Sequence, residues 1–333
     1  MKELRNKKYE QLEGSNAGDG IITIFTPSFN RAKYLPRIYS SLIEQTSQSF
    51  VWILVNDGSA DNTDEIAERI LGEERIPMLF ISKENGHKHS CFKAAFERCN
   101  TEFFMCMDDD DIYSPKTVEL FLTEWYRIKQ DGIKDIGAIR ALSEDKNGIV
   151  SNVPIEEKDL GKTEDASTLE RNYVQHIYQE NCTCYETAKL REVELFPQDY
   201  WLHEYHRFFL ESIWQGRFAR RYKCRYINIP LRKYTNDAPD SILRVSGGKS
   251  RQHYMDMFIN SVIINNEQFD YIRKDFKALF KSVVLLNLLR GYLNIGLLHL
   301  LKNTEFYQLR LLLIFTAPLR LLGPAVIRRR NTN

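Results

Sequence analysis

Over its first hundred residues the chain alternates short apolar runs with amphipathic stretches. Ile21-Ile22-Thr23-Ile24-Phe25-Thr26 is rich in β-branched residues and bounded by Gly20 and Pro27. Phe50-Val51-Trp52-Ile53-Leu54-Val55 is wholly apolar and stops at Asn56-Asp57-Gly58-Ser59, and Met78 to Ser82 and Phe103 to Met107 continue the series. Between them, Ala32 to Gln45, Asn62 to Leu71 and Ser90 to Cys99 carry apolar residues near helical spacing. Strands apolar on both faces, alternating with helices, predict an α/β fold: a Rossmann-like, mostly parallel sheet flanked by helices. Each predicted strand ends in a polar or turn-forming segment. These are Pro27-Ser28-Phe29-Asn30-Arg31, Asn56-Asp57-Gly58-Ser59, Glu84-Asn85-Gly86-His87-Lys88-His89 and Asp108-Asp109-Asp110-Asp111. Right-handed crossovers bring such ends to one edge, where open α/β sheets bind their ligands.

Past Trp125 the pattern loosens. A strand is predicted at Ile136 to Leu142, and a polar, acidic excursion of the length usual for a mobile or functional loop runs from Ser143 to Thr168. Leu202 to Gln215 reads as helix, and Tyr226 to Ile229, ahead of Pro230, as a late strand. Beyond Gln252 the chain turns strongly helical. Ser282 to Leu301 is apolar around most of its circumference except for Asn287, Arg290 and Asn294 on one stripe, so that helix needs a cover. The tail from Leu311, with Arg320 and Arg328-Arg329-Arg330, is too short and interrupted to span a bilayer of about 30 Å. Two readings fit it: a surface for the cytoplasmic face of a membrane, or a helical cap on the chain's own domain or a partner.

Composition narrows the class. With 333 residues, 43% apolar and 27% charged, the chain is globular and holds one or two domains. Its net charge of +1, with no basic stripe interleaved with aromatics in the first two thirds, does not suit nucleic acid. The six cysteines show no CxxC spacing and several sit in apolar stretches, as reduced, buried thiols do. The polar first twenty residues lack the apolar core of a signal peptide and read as a loose arm, so a cytoplasmic location is expected.

Four consecutive carboxylates at the mouth of a buried strand repel one another unless a cation or a helix N-terminus compensates. Either they hold a metal, or they decorate the start of a helix capped by Ser114 with Pro115 in its first position. Other chemistries fail on their residues. No glycine follows the first strand in the GxGxxG pattern, and Gly247-Gly248-Lys249-Ser250 lacks the upstream glycine and strand of a P-loop. His203-Glu204-Tyr205-His206 breaks the HExxH spacing, and no GxSxG elbow is present.

Taken in order, Thr26 to Arg31, Val55 to Ser59, Asn85 to His89 and Met107 to Asp111 resemble the motifs of family 2 glycosyltransferases of the GT-A fold. The resemblance covers about residues 20 to 235. It implies a GT-A domain over 21–240, which with the sequence pattern leaves a polar N-terminal arm over 1–20 and a helical, partly amphipathic C-terminal region over 241–333. It assigns the nucleotide-sugar to Pro27, Asn30 and Arg31, to Asp57 at the nucleobase, and to Lys88, Asp108 and Asp109. Asp108 and Asp110 are then the ligands of a divalent cation, Mn2+ or Mg2+, with Asp109 in the place of a serine and Asp111 left to cap the next turn. The chemistry agrees, because a leaving diphosphate needs its growing negative charge stabilised and hard oxygen ligands suit such a cation. Lys88 adds a positive charge near the phosphates or is a solvated loop lysine.

An inverting transfer needs one further carboxylate to take the acceptor's proton on the opposite face of the sugar. Leu210-Glu211-Ser212-Ile213-Trp214 is similar to the stretch where the family carries this base. That points to Glu211, with Glu204 in reserve and Asp199 third. The function implied is transfer from a nucleotide-sugar, a UDP-sugar by resemblance, to a saccharide or lipid-linked saccharide acceptor of a cell-surface polysaccharide. The alternative is a nucleotide-sugar-binding scaffold without turnover in a polysaccharide assembly complex.

Overall fold

A computed structural model describes residues 1–14, 20–196, 201–233 and 250–332. The chain divides into two compact units. One comprises Met1–Ser167, Ile177–Val193 and Arg221–Ala238, and the other Thr168–His176, Glu194–Arg220 and Pro239–Asn333.

The first unit is built on one sheet of β1 (Lys2–Arg5), β2 (Ile22–Ser28), β3 (Phe50–Asn56), β4 (Met78–Ser82), β5 (Phe103–Cys106), β6 (Ile112–Tyr113), β7 (Ile136–Asp145), β8 (Gly148–Ile149), β9 (Thr163–Ala166), β10 (Asn181–Glu186) and β11 (Lys223–Lys233). The strand order is β1-β4-β3-β2-β5-β10-β7-β11-β6, with β8 on β7 and β9 on β11. Strands β4, β3, β2 and β5 are parallel, in the register Ser82 to Asn56 to Ser28. Their carboxyl ends therefore share one edge, and the order reverses between β2 and β5, the switch point at which such sheets take ligands. Beyond β5 the sheet is mixed, because β10 enters antiparallel between β5 and β7. Helices α1 (Lys7–Gly14), α2 (Leu35–Ile43), α3 (Thr63–Gly72), α4 (His87–Glu97) and α5 (Thr117–Gln130) belong to this unit. Strand alternation decides which face each covers. Ile22 and Ile24 of β2 share a core with Ile38, Ile70 and Phe121 of α2, α3 and α5, whereas Phe25 meets Phe92 of α4 with ring centroids 5.9 Å apart. All six cysteines are free and five are buried, Cys182 and Cys184 within the sheet core.

The N-terminal arm is not loose. Lys2–Arg5 pair antiparallel with β4, and the buried Asn6 anchors the start of α1. Its side chain donates to the Ile76 carbonyl and accepts from the Met78 and Tyr9 amides, joining sheet edge and helix in one residue. An edge strand needs no apolar alternation, which is why its polar sequence read as an arm. The late strand is also longer than expected, passing through Pro230 with a shift of register there.

Further along the chain come α6 (Thr168–Tyr173), α7 (Thr187–Arg191), α8 (Glu211–Arg221), α9 (Arg251–Glu267), α10 (Phe269–Ile272), α11 (Phe276–Leu293), α12 (Leu297–Lys302), α13 (Tyr307–Phe315) and α14 (Gly323–Thr332). All but α7 supply the second unit, whose core gathers Ile213, Phe258, Ile263, Val283, Leu286, Leu309, Leu313 and Ile327. The single helix expected at Leu202–Gln215 does not form. Instead a 3-10 turn at His203–Tyr205 is followed by irregular chain up to α8. The cause lies on α9, where Asp256 accepts from the Arg207 amide, and Asn260 accepts from the Leu210 amide and donates to the Phe208 carbonyl. These side chains satisfy the backbone that a helix would have bonded internally.

The apolar helix expected at 282–301 breaks at Asn294, which adopts a left-handed conformation (φ 60°) as its C-cap. Its polar stripe is covered by the chain's own tail. Asn287 donates to Thr316 Oγ1 at 2.8 Å and to the Leu313 carbonyl, and Arg290 donates to Asn287 Oδ1 at 2.6 Å and to the Ala317 carbonyl. Two glycines allow this approach. A Cβ on Gly291 would lie 2.1 Å from the Arg320 carbonyl oxygen, and one on Gly323 would lie 2.2 Å from that of Leu288.

Candidate active site

The loops after β2 and β3 are bonded to each other. The Asn30 amide donates to Ser59 Oγ at 2.8 Å, and Asn30 Oδ1 accepts from the Ala60 amide at 2.7 Å, with Asn30 itself at φ 55°. Asn56 Oδ1 accepts from both the amide and the hydroxyl of Ser59, closing the turn that carries Asp57. Gly58 stands in this turn at φ +77°, with the Asn85 amide 2.8 Å from where a Cβ would be, so both conformation and space require glycine. Asp57 is buried beneath the loop after β4. It accepts from Lys83 Nζ at 2.8 Å and from the Gly86 amide at 2.9 Å, and Asn85 donates to its carbonyl.

The acid run leaves β5 at the same edge, and its members are separated by their partners. Arg31 donates from one nitrogen to Asp109 Oδ1 at 2.8 Å and Asp110 Oδ2 at 2.7 Å. Arg37 donates to the Asp110 carbonyl, and the Arg31 and Arg37 guanidinium carbons lie 5.6 and 5.4 Å from the centroid of the Tyr34 ring. Lys88, in the first turn of α4, pairs with Asp108 at 2.6 Å. Burial works against the Asp108 charge, but Lys88, reinforced by Arg232 and Arg31, holds its carboxyl below the ordinary aspartate range. Asp109 is pushed up to about 7, because burial and then the charges of Asp110 and Asp108 outweigh Arg31.

Asp111 does not cap the following turn. It is fully buried, and its Oδ2 accepts from Arg232 of β11 at 3.1 Å while Oδ1 has no hydrogen-bond partner. Arg232 also reaches Ser143 Oγ and Glu180 Oε2. Burial raises the Asp111 carboxyl to about 7 despite this arginine. Nor does Ser114 cap α5 by its side chain: the helix begins at Thr117, whose hydroxyl donates to the Leu231 carbonyl at 2.7 Å. The bland reading of the acids as helix-start decoration therefore fails for Asp111.

Pro27, Asn30, Arg31, Asp57, Lys88, Asp108, Asp109 and Asp110 all sit at the edge formed by the carboxyl ends of β2 to β5. Glu211, the exposed first residue of α8, and the exposed Glu204 belong to the second unit. Asp199 and the Gly247 segment lie outside the described residues. Lys83, Arg37 and Arg232 were missed by sequence reasoning. Arg232 left a signal, since a charge beside Leu231 at the end of a buried strand calls for a partner. A cavity of about 760 Å³ opens at the opposite edge, beside Ile21, Thr23, Val51, Arg98, Cys99 and Thr101, and no candidate residue lines it.

The donor set can be tested against the implied cation. Asp108 and Asp110 offer hard carboxylate oxygens, and Asp108 is the more exposed, at 38% against 16%. Among the described residues no group of three or more His, Cys, Asp or Glu side chains suited to a metal comes together. The two carboxylates are hard oxygen donors of the kind such a cation takes, and they would hold it only together with further oxygen ligands.

A mixed sheet flanked by helices, with an acid run beside the switch point of its parallel strands and a helical C-terminal region, is the architecture of a GT-A glycosyltransferase. The chain belongs to glycosyl transferase family 2, whose model matches residues 23–193. Among curated relatives, it is 33% identical over 110 residues to the chondroitin synthase of Pasteurella multocida strain Pm70. That stretch covers 33% of this chain and 11% of the synthase. It is 26% identical over 106 residues to the teichoic acid poly(glycerol phosphate) polymerase of Staphylococcus epidermidis, covering 31% of this chain and 15% of the polymerase. The chain thus spans only a small part of the length of these relatives. In fold it is similar to S. aureus TarS 1-349, with a TM-score of 0.54 at 14% identity over 93% of this chain and 90% of that one. The same TarS fragment solved with UDP gives a TM-score of 0.53 at 15% identity, again over 93% and 90%.

Proposed function

We propose that the protein is a metal-dependent, inverting glycosyltransferase that moves a sugar from a UDP-sugar to a saccharide or lipid-linked saccharide acceptor in the synthesis of a cell-surface polysaccharide. The observation that carries this reading is the meeting of four strand ends at one switch point, with the acids Asp108 and Asp110 balanced by Lys88 and Arg31. The solved TarS complex with UDP supports the choice of nucleotide. Asp57, in the turn bonded to the loop of Asn30, is assigned to the nucleobase, with Pro27 and Asn30 beside it. Asp108 and Asp110 hold Mn2+ or Mg2+, which when bound stabilises the charge that develops on the leaving diphosphate. Lys88 and Arg31 turn from the acids toward the phosphates, and Asp109 replaces a serine at the donor. Glu211 takes the proton from the acceptor hydroxyl as that oxygen attacks the anomeric carbon from the side opposite the diphosphate.

We place this activity in the cytoplasm, with the enzyme peripheral on the inner face of the membrane where a lipid-linked acceptor would be presented. The test is sugar release from UDP-, GDP- and dTDP-sugars with manganese and with chelator. Manganese-dependent release from a UDP-sugar is expected. UDP binding without turnover on any donor would overturn catalysis in favour of a scaffold.

A further inference from the structure

We infer that the outward face of α13, with the turn after it, is a docking surface for anionic phospholipid headgroups and the apolar layer beneath them. This rests on the reading of the chain as a peripheral enzyme and names the face that makes it one. Tyr307, Leu311, Ile314 and Phe315 are 66%, 60%, 49% and 84% exposed. They stand at positions i, i+4, i+7 and i+8 of one helix, which is a single apolar stripe. Leu309 and Leu313 on the other side are buried in the core, so the helix is apolar inward and outward alike. Leu321 and Leu322 carry the exposure past the turn. Scattered surface leucines need no partner, but a helical stripe of large side chains ending in a nearly bare phenylalanine does.

Charge selects the occupant. From Phe306 through Asn333 the sequence holds five arginines and no aspartate or glutamate, in a chain whose net charge is +1. Arg310 and Arg320 are exposed beside the stripe. A second copy of this surface would bring like charge against like. An anionic leaflet instead gains roughly fivefold in affinity for each basic residue brought near it.

Geometry sets the mode. Among the described residues no single helix is long and apolar enough to cross a membrane, and the pair Tyr307–Phe315 and Ala317–Ile327, apolar enough together, is bent by 58°. The 9 residues of α13 rise about 14 Å, less than half of the roughly 30 Å hydrocarbon layer. Its inner side is fastened through Thr316 and the Leu313 carbonyl to Asn287 of α11. A helix held in this way lies in the interface with its stripe in the headgroup boundary.

The experiment is sedimentation of the full chain with vesicles of phosphatidylcholine alone and of phosphatidylcholine with an equal part of phosphatidylglycerol. Salt-sensitive binding to the anionic vesicles only is expected. Leu311→Ser with Phe315→Ser should weaken it at least tenfold, since each removes an apolar side chain that the lipid layer would bury, and Arg310→Gln with Arg320→Gln by roughly thirtyfold. The substituted side chains are exposed, and unchanged unfolding midpoints verify that the variants fold. No binding to anionic vesicles, or equal binding by the serine variant, overturns the proposal. So does a wild-type dimer that the serine variant converts to monomer while neither binds vesicles. Calorimetric UDP binding by the same variants in solution reports on the donor site separately. If it is absent while vesicle binding holds, the transferase reading falls and the surface stands.

Discussion

Arg232 of β11 donates to the buried carboxylate of Asp111 at 3.1 Å, and this pair ties the last member of the acid run to the far half of the sheet. Both side chains are shielded, at 9% and 0% exposure. Removing the cation alone leaves a buried carboxylate beside Asp108 and Asp110. Arg232→Met is expected to cost about 3–5 kcal/mol in urea unfolding well above pH 7, where Asp111 carries its charge, as broken buried pairs do, and less at lower pH, where burial keeps its carboxyl protonated. Adding Asp111→Asn should recover most of the loss, because the uncompensated charge goes with it. Equal losses in the single and double variants would show that Arg232 acts through Ser143 and Glu180 instead.

Asp110 is balanced by Arg31 and Asp108 by Lys88, so the acid run is charge-neutralised before any cation arrives. Asp110→Ala is expected to abolish the manganese-dependent part of UDP affinity, roughly ten- to a hundredfold for the loss of one charged ligand. Binding without metal should survive, since Arg31 then has Asp109 alone to balance. Titration calorimetry with and without manganese checks both halves. Manganese-dependent affinity equal to that of the wild type would move the metal elsewhere.

Glu211 lies on a different compact unit from the acids, and its assignment as base is tested by separating rate from affinity. Glu211→Gln should leave UDP affinity unchanged and slow transfer about 10²- to 10⁴-fold, the range of a lost general base. Glu204→Gln should leave the rate near that of the wild type. The reverse result would transfer the role to Glu204.

The strand ends were readable because an apolar run bounded by a turn is a local signal, and register in a parallel sheet does the rest. Phe103 to Met107 needs nothing from elsewhere to read as buried strand, and Asp108 follows it. Arg232 with Asp111 and Lys83 with Asp57 were not readable, because each pair depends on bringing two loop ends together across the sheet. The helix read at Leu202–Gln215 failed for a similar reason. Its apolar spacing is genuine, yet Asp256 and Asn260, far along the chain, bind its backbone and keep it from closing into a helix. The stripe of Asn287 and Arg290 was visible as a surface in need of cover. Which segment covered it depended on the close approach that two glycines permit.

That approach gives a prediction with a diagnostic sign. Alanine in place of glycine within a helix ordinarily stabilises by up to about 1 kcal/mol. At Gly291, inside α11, the new methyl would meet the Arg320 carbonyl oxygen at 2.1 Å, and at Gly323 that of Leu288 at 2.2 Å. Backbone cannot swing aside as a flexible side chain can, so the stretch of chain from Thr316 to Gly323 must move away from α11. That movement would strip Asn287 and Arg290 of Thr316 Oγ1 and the Ala317 carbonyl, leaving the polar stripe buried without its partners. Gly291→Ala and Gly323→Ala should each destabilise by about 1–3 kcal/mol, the range for overpacking. Denaturant unfolding measures this, and limited proteolysis should cut the variants first beyond Lys302. Variants as stable as the wild type, or more so, would mean that the tail does not rest on α11 in solution.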